Sequence, residues 1–145
     1  MYIISKCLLG HNCKYSGGNN ETGWVKDFCK GVTFCPVCPE EAGGLPTPRE
    51  PSERVGDRVV SITGKDFTRE FLEGSRKSFE ECVLKAEAEG DKIQGAILKS
   101  NSPSCGCGAI YDGTFSGTLI EGNGVFAQLL QDNNIDIYTE KERIK

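Results

Sequence analysis

Three short apolar runs each lead straight into a loop that carries cysteine, and this repeated placement constrains the fold more than any other feature of the chain. Tyr2-Ile3-Ile4 runs into Ser5-Lys6-Cys7-Leu8-Leu9-Gly10. Val32-Thr33-Phe34 runs into the segment holding Cys35 and Cys38, and Gly95-Ala96-Ile97-Leu98-Lys99 into Ser100–Gly108, with Cys105 and Cys107. Continuous apolar runs of this length read as strands buried on both faces. Helical patterns lie between them. Trp24, Val25 and Phe28 mark a helix across Thr22–Lys30, and Asn123–Gln131 marks another. Phe67, Phe71, Leu72, Phe79, Cys82, Val83 and Ala86 mark a long helix across Asp66–Glu89, which Gly90 ends. Arg58–Ile62 predicts a further strand, Tyr111–Ile120 a turn-rich stretch with a short β piece, and Ile135–Tyr138 the last strand. The Pro- and Gly-punctuated segment from Cys35 to Pro51 predicts a long irregular loop of functional kind.

Strands alternating with helices predict an α/β fold. The expected architecture is a single three-layer domain over residues 1–145, with a mainly parallel, Rossmann-like sheet and helices on both faces. Ligands of such sheets bind beyond the carboxyl ends of the strands. Parallel strands therefore bring the three cysteine loops to one edge, and make Cys7, Cys35 or Cys38, and Cys105 or Cys107 candidates for one site.

Composition narrows the chemistry. The 145 residues include 17 Lys and Arg against 21 Asp and Glu, for a net charge of −4, with 37% hydrophobic and 26% charged residues. That is the balance of one globular domain, not of a disordered chain. The acidic excess argues against a general binder of nucleic acid or anionic membrane, while leaving room for a local basic pocket. No apolar run approaches the roughly 18 residues of a membrane span. Met1–Lys6 has neither the basic nor the apolar region of a secretory signal, so a cytoplasmic location with reduced thiols is expected. The 8 cysteines then point to metal or cluster ligation, thiol catalysis or burial. With a single His in the chain, a metal here is held by sulfur.

Each chemistry-bearing residue also has a plain structural reading. Cys35-x-x-Cys38 fits a zinc half-site or a redox pair. Zinc wants a second such pair, and Cys105-x-Cys107 has the wrong spacing; a redox pair wants to open a helix, which Pro39 and Gly43-Gly44 disfavour as a long one. Cys29 and Cys82 fall on apolar helical faces and are expected to be buried. Cys13 reads either as a thiol beside the ligands or as a packed side chain. Glu40 lies two residues beyond Cys38, within reach as a general base, against the default of a solvated surface charge. Ser102 and Ser104 sit in a tight loop around Pro103, where hydroxyls commonly stabilise turns. His11 reads as a structural or surface residue. Lys14, Arg49 and Lys99 lie near these loops and can receive an anionic group; Lys14 and Arg49 are the candidates for a phosphate contact.

Ser5-Lys6-Cys7-Leu8-Leu9-Gly10, Cys38-Pro39-Glu40 with Gly43 to Arg49, and Ser102-Pro103-Ser104-Cys105-Gly106 with Ile110-Tyr111-Asp112-Gly113 together resemble the DUF523 family, which includes the thiouracil desulfidases. The resemblance spans the chain from Cys7 to the final strand. It implies a [4Fe-4S] cluster held by three cysteines with one iron open, and by motif the ligands are Cys7, Cys38 and Cys105. It further implies hydrolytic, non-redox removal of sulfur from a thiolated pyrimidine (thiouracil, 4-thiouridine or its monophosphate), giving the oxo base and sulfide. The open iron would act there as a Lewis acid toward the soft sulfur. By similarity, Glu40 activates water or relays protons and Ser102 assists proton transfer. Cys35 and Cys107 compete for two of the ligand positions on spacing alone. The alternative is a structural Cys-only zinc-binding module without catalysis. A thiol-redox protein using Cys35 and Cys38 ranks last, because it leaves Cys7 and Cys105 without a role.

Overall fold

The computed structural model describes residues 1–144. The chain opens with β1 (Tyr2–Ser5), turns through a short 3-10 segment at Lys6–Leu9, and continues as α1 (Gly23–Cys29), β2 (Phe34–Val37), α2 (Pro39–Ala42), β3 (Ser52–Val55) and β4 (Arg58–Ser61). There follow α3 (Thr68–Ala88), β5 (Gly95–Leu98), β6 (Ala109–Tyr111), β7 (Leu119–Glu121), α4 (Val125–Asp132) and β8 (Ile137–Thr139). Strands β2, β1, β5 and β8 pair in that order, and all the pairings are parallel, as the sequence predicts. Two antiparallel hairpins, β3–β4 and β6–β7, stand outside this sheet. Among the described residues no helix is long and apolar enough to cross a membrane.

The apolar runs are continuous because both faces of the sheet are covered. Side chains alternate along a strand. Ile3, Ala96 and Leu98 therefore meet Cys82 and Ala86 of α3 and Phe126, Ala127 and Leu130 of α4, while Ile4 and Ile97 meet Val25 and Cys29 of α1 on the other face. Ile3, Ile4, Ile97 and Leu98 are wholly buried, each contributing roughly 1.5–3 kcal/mol relative to exposure. Helix on sheet on helix is the expected three-layer α/β arrangement.

Three local expectations are corrected. The second strand comes later than Val32–Phe34, at Phe34–Val37, and contains Pro36, which an edge strand tolerates because its outer N–H needs no partner. Alternation then turns Cys35 and Val37 into the core, so Cys35 is a strand residue and does not lie in a loop beside Cys38. The segment from Cys35 to Pro51 is likewise less irregular than expected, since it also carries α2. Strand β3 was not foreseen: Ser52-Glu53-Arg54-Val55 shows little apolar alternation, and its pairing with β4 is what makes it a strand.

One backbone contact sets the position of α2, and with it the residues just after Cys38. A Cβ on Gly74 of α3 would overlap the Pro39 carbonyl oxygen and stand 2.7 Å from the Gly43 nitrogen. A Cβ on Gly43 would stand 2.8 Å from the Glu70 carbonyl carbon. The short helix is thus pressed directly on α3, backbone to backbone. Gly74→Ala forces the two apart and is expected to destabilise the protein by about 1–3 kcal/mol, as overpacked sites do, read as a lowered urea midpoint with unchanged m-value. An unchanged midpoint would show that the contact does not constrain α2.

Candidate active site

The carboxyl ends of β1, β2 and β5 open into a cavity of about 530 Å³. Cys7 enters it from the 3-10 segment after β1, Cys38 from the residue preceding α2, and Cys105 from the loop after β5; Cys13 lines it as well. The convergence expected from parallel strands is therefore present. Cys35 and Cys107 do not line the cavity. Cys35 is buried among core residues with Cys82, and Cys107 is half-buried against the same cluster. Cys29 and Cys82 are buried, as expected. His11 is exposed and outside the lining.

Four thiols line the cavity, and the spacing of the possible donors is informative. Cys13 Sγ, Cys38 Sγ and a Glu41 carboxylate oxygen lie within 4.8 Å of one another, whereas Cys7, Cys38 and Cys105 form no such tight trio. Tetrahedral zinc at about 2.3 Å from sulfur draws its ligands to within about 3.8 Å of each other. The Cys13, Cys38 and Glu41 trio approaches that spacing. Burial pushes the Cys7 thiol up and the Cys105 thiol up to about 12. Cys38 differs: its hydrogen bond with Cys13, aided by the Glu41 amide and the Arg49 charge, brings it down to about 7 against the cost of burial.

Glu40 faces this thiol group from the first turn of α2, held at both oxygens. Arg49 Nε donates to Oε1 at 3.1 Å, and Ser104 Oγ donates to Oε2 at 2.8 Å. Ser102 Oγ lies 3.4 Å from Ser104 Oγ and accepts from the Cys105 amide at 2.8 Å. A hydroxyl has one proton to donate. Ser104 spends its proton on Glu40, so Ser102 is the donor in the Ser102–Ser104 contact, and the two hydroxyls form a directed chain ending on the carboxylate. Sequence reading placed Ser104 only as a turn residue; its contact with Glu40 bridges 64 positions and had no local signal.

The loop that carries these hydroxyls is tied to α4. The carbonyl of Pro103 accepts from Val125 N, that of Ser104 from Phe126 N and Ala127 N, and that of Gly106 from Gly124 N. Helix N-termini leave their first amides without intrahelical partners, and here the cysteine loop supplies the acceptors.

Arg49 is almost wholly enclosed, with 6% side-chain exposure. Besides Glu40 it donates to the Pro46 carbonyl, Thr47 Oγ1 and the Cys13 carbonyl. Lys14 lines the cavity, and among the described residues its ammonium has no acidic partner within ion-pair distance. Lys99 also lines it, bonded to Ser100 and paired with Glu140 at 3.1 Å. Burial raises the Glu140 carboxyl, but the Ser100 amide and hydroxyl and the Lys99 charge outweigh it and hold it below the usual carboxylate range. With Lys6, four cationic side chains line the cavity against Glu40 and Glu53. An acidic chain thus encloses a locally basic pocket.

Comparison with known proteins agrees with this geometry. The chain is 36% identical over 152 residues to the protein YbbK of Bacillus subtilis (strain 168), with 98% of this chain and 97% of that one covered. Its fold is similar to that of the [4Fe-4S]-dependent thiouracil desulfidase TudS, with a TM-score of 0.85 and 39% identity over 97% of this chain and 90% of the other. Residues 2–142 match the 2-thiouracil desulfurase family, and the chain belongs to that family.

Proposed function

We propose that this protein is a [4Fe-4S]-dependent desulfidase that converts a thiolated pyrimidine (thiouracil, 4-thiouridine or its monophosphate) and water into the oxo base and hydrogen sulfide. The observation that carries this reading is the meeting, in one cavity, of the strand-end thiols with the Glu40–Ser104–Ser102 chain. Cys7, Cys38 and Cys105 would hold the cluster. All three are thiols that line one cavity, which suits it. When bound, such a cluster supplies a thiophilic iron with an open position, a Lewis acid for a thiocarbonyl sulfur that requires no net redox.

The remaining chemistry belongs to the chain. Glu40 receives a proton from the water that replaces sulfur, and Ser104 and Ser102 pass protons between that carboxylate and the reacting centre. Arg49 fixes the Glu40 carboxylate and ties it to the Cys13 carbonyl, so its contribution to substrate binding is made through Glu40. Lys14, a cavity cation without an acidic partner among the described residues, would receive a substrate phosphate.

One observation favours a second reading. The Cys13, Cys38 and Glu41 trio is tight enough for one zinc ion, in a site of mixed sulfur and oxygen ligands and not the Cys-only one expected from sequence. Anaerobic preparation separates the two. Brown protein with iron and acid-labile sulfide, releasing sulfide from 4-thiouracil, supports the desulfidase; colourless protein with one zinc per chain supports the zinc site.

Replacing Cys7, Cys38 or Cys105 by Ala is expected to abolish cluster loading, whereas Cys107→Ala leaves iron content intact. Full loading in any of the first three would remove that residue from the ligand set. Glu40→Gln and Ser102→Ala are expected to load normally yet lose roughly 10²- to 10⁴-fold in sulfide release, the usual contribution of general acid–base groups; unchanged turnover would reject those roles. Lys14→Ala should raise KM for 4-thiouridine monophosphate more than for 4-thiouracil, and an equal change for both would argue against a phosphate contact.

A further inference from the structure

Part of the cavity wall has no task in the chemistry above. It is aromatic, and it is held in place by a buried acid. Phe115 lines the cavity from the connection between β6 and β7, together with Tyr111 from the end of β6 and Tyr15 from beyond the first cysteine loop. Tyr15 and Tyr111 are 46% and 37% exposed, and Ile62 beside them is 56% exposed. A cavity that leaves large apolar side chains open to solvent presents them to a ligand.

The placement of Phe115 is enforced. Its φ is +57°, a left-handed conformation that a bulky residue rarely adopts without compensation. The compensation comes from Glu53 on β3, a carboxylate 8% exposed. Glu53 Oε1 accepts from the amides of Gly113 at 2.9 Å and Phe115 at 3.0 Å. Gly113, at φ +95°, lets the connection close down on β3: a Cβ there would stand 2.6 Å from Val55 Cγ2. Burying a carboxylate is costly, and here two charge-assisted hydrogen bonds from the loop amides offset that cost while fixing the loop on β3.

We propose that Phe115, flanked by Tyr15 and Tyr111, is the face on which the substrate's pyrimidine ring stacks, and that Glu53 is the positioning residue that sets it. The assignment rests on the desulfidase reading for the identity of the ring, and it deepens that reading. The site then favours planar heteroaromatic thiocarbonyls over aliphatic ones, because a base offers an extended ring face for stacking and an open-chain thioamide has no ring.

Uracil tests the wall without any turnover. It has the ring but no sulfur, and its binding to the anaerobically reconstituted protein can be followed by equilibrium dialysis. Phe115→Ala is expected to weaken uracil binding roughly 5- to 150-fold, the range for loss of one base–aromatic stack. The same variant should raise KM for 4-thiouracil by a similar factor, and raise KM for thioacetamide, which has no ring, by much less. Glu53→Leu should reproduce the uracil defect, and Glu53→Gln, which keeps an acceptor oxygen, should recover most of it. Equal uracil binding by the parent protein and Phe115→Ala, or equal KM increases for the ringed and ringless thiocarbonyls, would overturn the proposal. A parent protein that binds uracil in a Phe115-dependent way but releases no sulfide supports the stacking wall and counts against the desulfidase reading alone.

Discussion

Parallel pairing of β1, β2 and β5 is the constraint on which the rest of the molecule depends. Cys7, Cys38 and Cys105 are separated by 31 and 67 positions, and no local structure could bring them together. Strands that run the same way end at the same edge, so each cysteine needs only to follow its own strand. The two helical layers serve this arrangement by covering both faces, which lets β1 and β5 be short, apolar and buried. The loops are then secured individually: the first by its 3-10 turn, the second by α2, the third by the amides of α4.

The electrostatics of the cavity follow from its enclosure. Glu40 and Arg49 are both largely removed from water, and each satisfies the other along with neighbouring groups. Breaking a pair of this kind by deleting one partner is typically far more damaging than never having built it. Arg49 also bonds to the Cys13 carbonyl, so one guanidinium joins the acid to the backbone beside a cavity thiol. The acid, the hydroxyls and the thiols form one connected polar network, and its members cannot be repositioned separately.

The parallel sheet and the meeting of the cysteine loops were legible in the sequence because apolar runs and cysteine positions are local marks of strand and loop. The boundary of β2 was not. Pro36 reads as a stop, yet at a sheet edge it is tolerated, and a strand frame starting at Phe34 decides that Cys35 faces the core while Cys38 faces the cavity. Ser104 and Glu53 were illegible for another reason. Their partners lie 64 and 60 to 62 positions away, across elements with no pattern linking them. Arg49 was noticed as a charge near the site, but its enclosure by Pro46, Thr47 and Cys13 depends on tertiary folding that composition cannot express.

The glycine contact between α2 and α3 divides the molecule mechanically. With no side chain between Gly74 and the Pro39 carbonyl, there is nothing to compress or rotate, and Glu40 inherits the stiffness of a 21-residue helix. The β6–β7 connection joins the body through two amides on one carboxylate and ends in an exposed hairpin. One half of the cavity is set by backbone packing and the other by hydrogen bonds to a loop. The two walls therefore yield differently: the first can shift only together with α3, the second with one carboxylate.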